Sequence, residues 1–170
     1  MVRYLFHDKI ISLSDVTKHS TGDVALLGIV PKYSRQIPLS QLIVDKNPKS
    51  LMSEAFRTLR TNLKFLDSTE GSKIISITST ISGEGKTFVA INMAGILAFT
   101  DKKVVILDLD LRKPKIHLGF GAKNEIGMST ILTGLTTIEN SLQISPMDNL
   151  KFITAGPVPP NPSELIISGK

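Results

Sequence analysis

The sequence has 170 residues, of which 41% are hydrophobic, and this is enough to bury the core of one ordinary globular domain. The absence of cysteine excludes disulfides and thiolate zinc sites, and the longest apolar runs are far shorter than the roughly 20 residues of a membrane-spanning helix. The net charge of +5 comes from residues 1–64, which contain ten Lys and Arg and five Asp and Glu. Because no run of four basic residues occurs, the sequence favours basic side chains scattered over a solvated surface. Attraction of this region to a membrane or a nucleic acid is the less favoured interpretation.

The first 50 residues form a mixed leader. Ser14 is predicted to cap a short helix that runs through Lys18, and the apolar residues 24–30 predict a buried strand. Residues 32–49 contain two prolines and predict an irregular connection. We therefore expect a leader and linker over residues 1–50, followed by a domain over residues 51–170.

A strong amphipathic helix is predicted from Leu51 to Leu66. Its apolar residues recur at spacings of three and four and form one stripe. They are Met52, Ala55, Phe56, Leu59, Leu63 and Leu66. Glu54, Arg57 and Arg60 are three residues apart and form a polar ridge away from that stripe. The spacing predicts at least an ion pair between Glu54 and Arg57 within the helix.

A glycine-rich loop lies between a predicted strand, Lys73–Thr78, and a predicted helix, Phe88–Phe99. Its sequence is Ser-Thr-Ile-Ser-Gly-Glu-Gly-Lys-Thr, residues 79–87, in the context that a phosphate-binding loop requires. Small residues allow successive N–H groups to surround phosphates. The Walker A pattern has Gly where Thr80 stands, so the match is incomplete. The alternative is an ordinary turn with a solvated lysine.

Two aspartates follow the next predicted strand, Lys103–Asp108. Asp108 and Asp110 stand at the carboxyl end of this apolar strand, where open α/β sheets bind their ligands. There they can hold a hydrated magnesium ion or act as a base. The alternative is that Asp108 caps a turn and pairs with Arg112. The order strand, helix, strand predicts a parallel sheet with a right-handed crossover.

The signals are weaker beyond Arg112. Residues 129–132 predict one helical turn, and Leu150–Thr154 predicts a third strand. The proline-rich residues 156–162 predict a stiff extended loop, after which Ser163 and its neighbours begin another helix.

Three motifs together resemble the bacterial tyrosine kinases of capsule and exopolysaccharide export. Residues 104–112 look like the Walker A′ motif of that family, residues 83–87 look like the end of its Walker A motif, and residues 54–60 match its Glu-x-x-Arg-x-x-Arg motif. The resemblance extends over nearly the whole chain, although Ser82 stands where members often have Pro. It implies an α/β fold, a P-loop NTPase parallel sheet with flanking helices, whose Walker B strand is expected beyond residue 170.

The resemblance also implies an activity, the transfer of the γ-phosphoryl group of ATP to tyrosines of a neighbouring subunit. Lys86, Asp108 and Asp110 would be catalytic, and Thr87 with both aspartates would hold Mg²⁺, partly through water. Which aspartate accepts the tyrosine proton stays open. The residues implied in nucleotide binding are Ser82, Gly83, Glu84, Gly85, Lys86, Thr87, Phe88 and Arg112.

Assembly and location are likewise implied by the resemblance. The ridge of Glu54, Arg57 and Arg60 would join subunits into a ring, and the parent protein would lie at the cytoplasmic face of the bacterial inner membrane, while this chain itself is expected to be soluble. Its partners would be the membrane part of the parent protein, a tyrosine phosphatase and the polysaccharide export machinery. A nucleic acid is not expected.

Two other functions compete with the kinase. One is a regulatory P-loop ATPase of the cell-division and partition type, which is disfavoured because that class has a lysine where Ile81 stands and lacks the Asp-x-Asp-x-Arg pattern. The other is a nucleotide-binding assembly module without catalysis. The second is favoured for this chain by itself, since neither of its tyrosines, Tyr4 and Tyr33, belongs to a terminal tyrosine cluster.

Overall fold

The computed structural model describes residues 13–19, 24–33, 41–44 and 48–167, and within these ranges the chain forms seven helices and three short strands. The helices are α1 (Leu13–His19), α2 (Leu51–Leu66), α3 (Lys86–Ala98), α4 (Ile116–Phe120), α5 (Met128–Leu132), α6 (Ile138–Ser141) and α7 (Pro162–Ile167). The strands are β1 (Val104–Leu107), β2 (Gln143–Ile144) and β3 (Leu150–Ile153). A search of the described helices for one long and apolar enough to cross a membrane finds none.

Helix α2 has the bounds that its sequence pattern predicts. Ser50 caps its start, since the Ser50 hydroxyl accepts a hydrogen bond from the N–H of Ser53 at 3.1 Å. Of the predicted apolar stripe, Met52, Phe56 and Leu59 are buried, whereas Leu66 at the helix end is exposed. The buried part of the stripe packs against α3.

Helix α3 lies at the centre of the fold. It is apolar on nearly every side and almost wholly buried from Ile91 to Ala98, as expected for a helix surrounded by other elements. It packs against α2, α4, β1 and β3. It begins at Lys86, two residues before the predicted start, because Gly85 in the left-handed conformation leads directly into its first turn.

The sheet has the strand order β1-β3-β2. Strands β1 and β3 are parallel, with Val104 opposite Leu150, whereas β2 runs antiparallel to β3. Both strands predicted in this region, near residues 103–108 and 150–154, are confirmed. The expected all-parallel sheet is therefore a mixed one, flanked by helices in an α/β arrangement.

Two other predicted strands are wrong. Residues 73–78 and 24–30 form no strand, and no backbone hydrogen bond joins residues 73–78 to another described segment. A strand exists only when a neighbour pairs with it, and Ile74 is instead fully exposed. Without the first strand, the predicted crossover unit is incomplete among the described residues.

The leader contributes to the core. Residues 41–44 are largely buried and lie against α3, and Gln41 donates a backbone hydrogen bond to Gly119 of α4 at 2.7 Å. Helix α1 begins one residue before Ser14, which therefore lies in its first turn and does not precede it. The division of the chain at residue 50 stays a prediction.

Candidate functional site

The predicted phosphate-binding loop leads directly into α3. Gly83 and Gly85 have positive φ angles of 99° and 94°, a conformation that glycine adopts without strain. A Cβ atom at either position would have no neighbour within 4 Å, so the space above the loop is open. The Glu84 carboxylate accepts a hydrogen bond from the N–H of Ile81 at 3.2 Å and closes the loop on itself.

The first turn of α3 presents free backbone donors. The first N–H with a carbonyl partner in the helix is that of Val89, which donates to Gly85 at 2.9 Å. The N–H groups of residues 86–88 precede it and have no partner within the helix, as at any helix start. The Phe88 ring packs toward Phe56, 6.3 Å away, so Phe88 offers this loop its backbone and not its side chain.

Asp108 lies at the end of β1 and is 5% exposed. One of its carboxylate oxygens accepts the N–H of Asp110 at 3.2 Å, and the other accepts the N–H of Ile116 at 3.1 Å. Burial raises the pKa of the Asp108 carboxyl, although these backbone donors oppose the rise. Asp108 therefore shapes the turn between β1 and α4, which agrees with the capping alternative.

Asp110 and Lys86 form an ion pair, with 3.0 Å between the Lys86 Nζ and an Asp110 carboxylate oxygen. The other Asp110 oxygen accepts the N–H of Lys113 at 3.0 Å. Partial burial by itself raises the pKa of Asp110, but the Lys113 N–H and the Lys86 ammonium outweigh it and hold that pKa below its ordinary value. The fold thus brings together the lysine of the loop and the second aspartate of the Asp-x-Asp pattern.

Arg112 does not pair with Asp108. Its Nη2 donates to the Ser163 hydroxyl at 2.8 Å. With residues 158–164 it lines an open groove of about 440 Å³ beside the end of the Asp-x-Asp turn. Sequence spacing could not show this contact, because Ser163 lies 51 residues away in the chain.

The polar ridge of α2 divides into two parts. Glu54 and Arg57 form the predicted ion pair on the surface, and Arg57 also donates to the Pro48 carbonyl at 2.6 Å. Arg60 points elsewhere and donates to the Ile96 carbonyl of α3 at 3.2 Å. In this chain, Glu54 and Arg57 are therefore accessible, whereas Arg60 joins α2 to α3.

Sequence analysis missed a group of residues that fastens the loop before α5 to the end of β3. Met128 donates its N–H to the Thr154 carbonyl at 2.8 Å, and the Asn124 side chain makes two hydrogen bonds with the backbone of Gly156. The only signal in the sequence is the pair of glycines, Gly127 and Gly156, which come close to one another in the structure. This segment lies beside Asp108, whose N–H donates to Ile153 of β3 at 3.0 Å.

Metal ligands of the protein itself are few. In the part of the chain that the structure describes, no group of three or more His, Cys, Asp or Glu side chains is arranged to hold a metal ion. Asp108 and Asp110 lie close to each other, and Thr87 stands in the first turn of α3 next to Lys86. A hydrated Mg²⁺ that also binds substrate phosphates needs only one or two protein carboxylates.

Comparison with known proteins gives a consistent set of relatives. The profile of the CobQ/CobB/MinD/ParA nucleotide-binding domain matches residues 75–155. The tyrosine-protein kinase YwqD of Bacillus subtilis is 42% identical over 127 residues, which are 75% of this chain and 54% of YwqD. The tyrosine-protein kinase wzc of Salmonella typhi is 40% identical over 129 residues, 76% of this chain and 18% of that protein.

The fold is also similar to that of solved structures. The crystal structure of the chimerical protein CapA2B2 superposes with a TM-score of 0.74 at 39% identity, covering 84% of this chain and 60% of that one. The chain thus spans about half the length of YwqD and a smaller part of wzc.

Proposed function

Because this chain is a homologue of the bacterial tyrosine kinases, we propose that it is the ATP-binding part of a protein-tyrosine kinase that acts in capsule or exopolysaccharide polymerisation and export. The observation that carries the proposal is the Lys86–Asp110 ion pair at 3.0 Å, which joins the phosphate-binding loop to the Asp-x-Asp turn. In P-loop enzymes, phosphoryl transfer uses a lysine that contacts the phosphates together with carboxylates that hold Mg²⁺.

The loop fits the phosphates of ATP. Two glycines with positive φ leave an open space above the loop. The unpaired N–H groups of residues 86–88 border this space and can donate hydrogen bonds to phosphates. The Lys86 ammonium would exchange its contact with Asp110 for one with the terminal phosphates. Ser82 and Glu84 would line the loop, and the Arg112 guanidinium, at the edge of the site, would be available to a phosphate or a base.

Mg²⁺ would be held by the Thr87 hydroxyl and, partly through water, by the two aspartates. When bound, the ion neutralises the charge of the phosphates. The carboxylates differ in what they can do for it. Asp108 is 5% exposed and both of its oxygens accept backbone N–H groups, so we assign Asp108 to holding the turn and to contact with the ion through water. The Asp110 side chain is 31% exposed and would lose its Lys86 contact when Lys86 moves to the phosphates, so we assign Asp110 to direct contact with the reactants.

The acceptor would be a tyrosine of a neighbouring subunit. Its phenolic oxygen forms a bond to the γ-phosphorus while the bond from that phosphorus to the bridging oxygen breaks, and ADP leaves. The phenolic proton passes to a carboxylate, for which Asp110 is the better placed candidate once Lys86 has moved to the phosphates. Lys86 and the loop amides stabilise the negative charge on the transferred group.

We predict that the full-length protein, incubated with Mg²⁺ and ATP, carries phosphotyrosine, and that Lys86→Ala lowers its amount by at least about a hundredfold, since one lost charge contact to the transferred group has an effect of that size. Mass spectrometry of tryptic peptides measures it. Lys102→Ala, which removes an exposed lysine elsewhere, is the matched control and should leave phosphorylation unchanged. Phosphotyrosine at the same level in Lys86→Ala would contradict the proposal.

A regulatory ATPase is the second candidate, and the profile match over residues 75–155 favours it, because that domain family includes MinD and ParA. Such a protein would hydrolyse ATP without forming phosphotyrosine. The same incubation separates the two functions, since release of inorganic phosphate with unmodified tyrosines identifies the ATPase. Nucleotide binding with neither product identifies an assembly module.

The proposed assembly is a ring of subunits attached to the cytoplasmic face of the inner membrane, with a tyrosine phosphatase and the export machinery as partners. Of the three ridge residues, Glu54 and Arg57 lie at the surface, where they would meet a second subunit, and Arg60 would support them through α3. We predict that Arg57→Glu reduces the mass of the full-length oligomer measured by light scattering, because it places two like charges on the ridge. Thr61→Glu, an exposed change on the same helix, should not. An unchanged mass in Arg57→Glu would argue against this surface.

A further inference from the structure

A short part of the leader is buried more deeply than most of the domain that follows it. We call residues 41–44 the strap. Its side chains Leu42, Ile43 and Val44 are 2%, 5% and 0% exposed. Leu42 and Val44 belong to the main hydrophobic cluster, together with residues of α2, α3 and the sheet. A connecting segment with solvent on one side would not be buried in this way.

Asn92 of α3 binds the strap through both ends of its amide. Its side-chain oxygen accepts the N–H groups of Ile43 at 2.8 Å and Val44 at 3.3 Å. Its side-chain nitrogen donates to the carbonyls of Gln41 and Phe88, each at 2.9 Å. Asn92 itself is 0% exposed, so every polar atom of its side chain is satisfied within the protein. One face of α3 is therefore fixed to the strap.

The strap also holds α4. The Gln41 N–H donates to the Gly119 carbonyl at 2.7 Å. Helix α4 begins at Ile116, whose N–H is bound by Asp108. Gln41 thus lies at one end of a short helix whose other end is attached to the Asp-x-Asp turn.

The strap packs so closely against α3 that it can take only one position there. A Cβ added at Gly95 would lie 2.6 Å from Leu42 and 2.9 Å from Val44, which is closer than real Cβ contacts. Glycine at this point of the helix lets the strap approach the backbone of α3. Because the interior is densely packed, a shift of the strap must shift α3 or α4 with it.

We propose that the strap is a positioning element of the nucleotide site, with Asn92 and Gln41 as its positioning residues. Through Asn92 it fixes α3, which carries Lys86 and Thr87 at its start, and through Gln41 it fixes α4 and hence the turn of Asp108. The two halves of the site are held at a set separation by the same four residues of the leader. This inference rests on the proposed nucleotide site, and its test is designed to fail separately from that site.

The decisive comparison is between two substitutions in the whole chain. Asn92→Leu removes the side-chain amide that holds the backbone of the strap, and Asn62→Leu is the matched control, since it removes an amide of α2 that binds Leu27 instead. We expect Asn92→Leu to bind Mg-ADP at least about tenfold more weakly than the unchanged chain, since small displacements of binding groups have effects of this size, and Asn62→Leu to bind it within about twofold of the unchanged chain. Isothermal titration calorimetry at low temperature measures both, after circular dichroism has shown that each variant is folded. Equal affinity in the two variants would overturn the proposal.

A second variant covers the case in which Asn92→Leu does not fold. Gln41→Pro in the whole chain removes the N–H that the Gly119 carbonyl accepts, together with the Gln41 side chain, and leaves the buried side chains of Leu42, Ile43 and Val44 in place. We expect it to weaken Mg-ADP binding by about fivefold, the equivalent of one hydrogen bond, with little change in melting temperature. Unchanged affinity in this variant would overturn the role of Gln41.

Hydrogen exchange supplies a readout that needs no nucleotide. Loss of the strap contacts should raise exchange selectively in residues 82–92 and 108–120, and should leave α5 and α6, which lie outside these two ranges, unchanged. A uniform rise over the whole chain would show that the strap only adds stability and would overturn the proposal. If the whole chain fails to bind Mg-ADP, the proposed nucleotide site is wrong, and selective exchange then decides the role of the strap by itself.

Discussion

Replacing Phe56 by Ala is expected to lower the free energy of unfolding by about 3–5 kcal/mol, the usual cost of removing a fully buried aromatic ring. Phe56 is 0% exposed and is the largest fully buried side chain in the part of the chain that the structure describes. It lies where α2 packs on α3, and its ring centroid is 6.3 Å from that of Phe88 in the first turn of α3. Truncation to Ala leaves a cavity between α2 and α3 that movement of the two helices does not fill. Urea unfolding followed by circular dichroism measures the change.

Phe65→Ala is the matched control, because Phe65 belongs to the same helix and is 82% exposed. Its truncation should change the free energy of unfolding by no more than about 0.5 kcal/mol. Phe56→Ala should also weaken Mg-ADP binding, since it loosens the turn that carries Lys86. Equal destabilisation by the two substitutions would mean that α2 does not pack on α3 through this face.

Sequence patterns predicted the bounds of helix α2 and the positions of two strands correctly. Helix α2 has a serine cap and an apolar stripe of regular spacing, and its observed bounds are those predicted. The strands near residues 104 and 150 are short apolar runs that find each other in the sheet. Residues 73–78 are also rich in β-branched residues, yet they form no strand among the described residues. A strand pattern indicates that a segment is able to pair in a sheet. Whether it does so depends on a partner segment elsewhere in the chain.

The same distinction applies to the candidate site, where sequence motifs predicted which residues belong to it but not the role of each residue. The Gly-x-Gly-Lys-Thr run and the Asp-x-Asp run were found from their spacing, and the structure joins them through Lys86 and Asp110, which are 24 residues apart. Their unequal roles could not be predicted, because the burial of Asp108 depends on the turn toward α4. Asn92 was missed for a related reason. The Asn92 amide lies in an apolar stretch of α3, which indicates that it needs a polar partner. Its partner is the strap, and no motif in the strap predicts this contact.

A substitution at Gly127 tests the segment that fastens the loop before α5 to the end of β3. Gly127→Ala is expected to lower the free energy of unfolding by about 3 kcal/mol, at the upper end of the cost of overpacking. A Cβ there would overlap the Thr154 carbonyl and lie 2.5 Å from the Gly156 nitrogen, both of which are backbone atoms that hydrogen bonds hold in place. The φ angle of 169° is extended and suits any residue, so the cost is one of space and not of backbone conformation.

Gly134→Ala separates space from conformation. Gly134 has a φ of 76° and no atom within 4 Å of an added Cβ, so this change introduces backbone strain without a clash and should cost only about 1 kcal/mol. Thermal unfolding of the two variants measures the difference. A larger effect at Gly134 than at Gly127 would show that residues 127 and 154 are not in close contact. Because the end of β3 also binds the N–H of Asp108, at 3.0 Å from the Ile153 carbonyl, a Gly127→Ala protein that still folds should bind Mg-ADP more weakly, whereas Gly134→Ala should not.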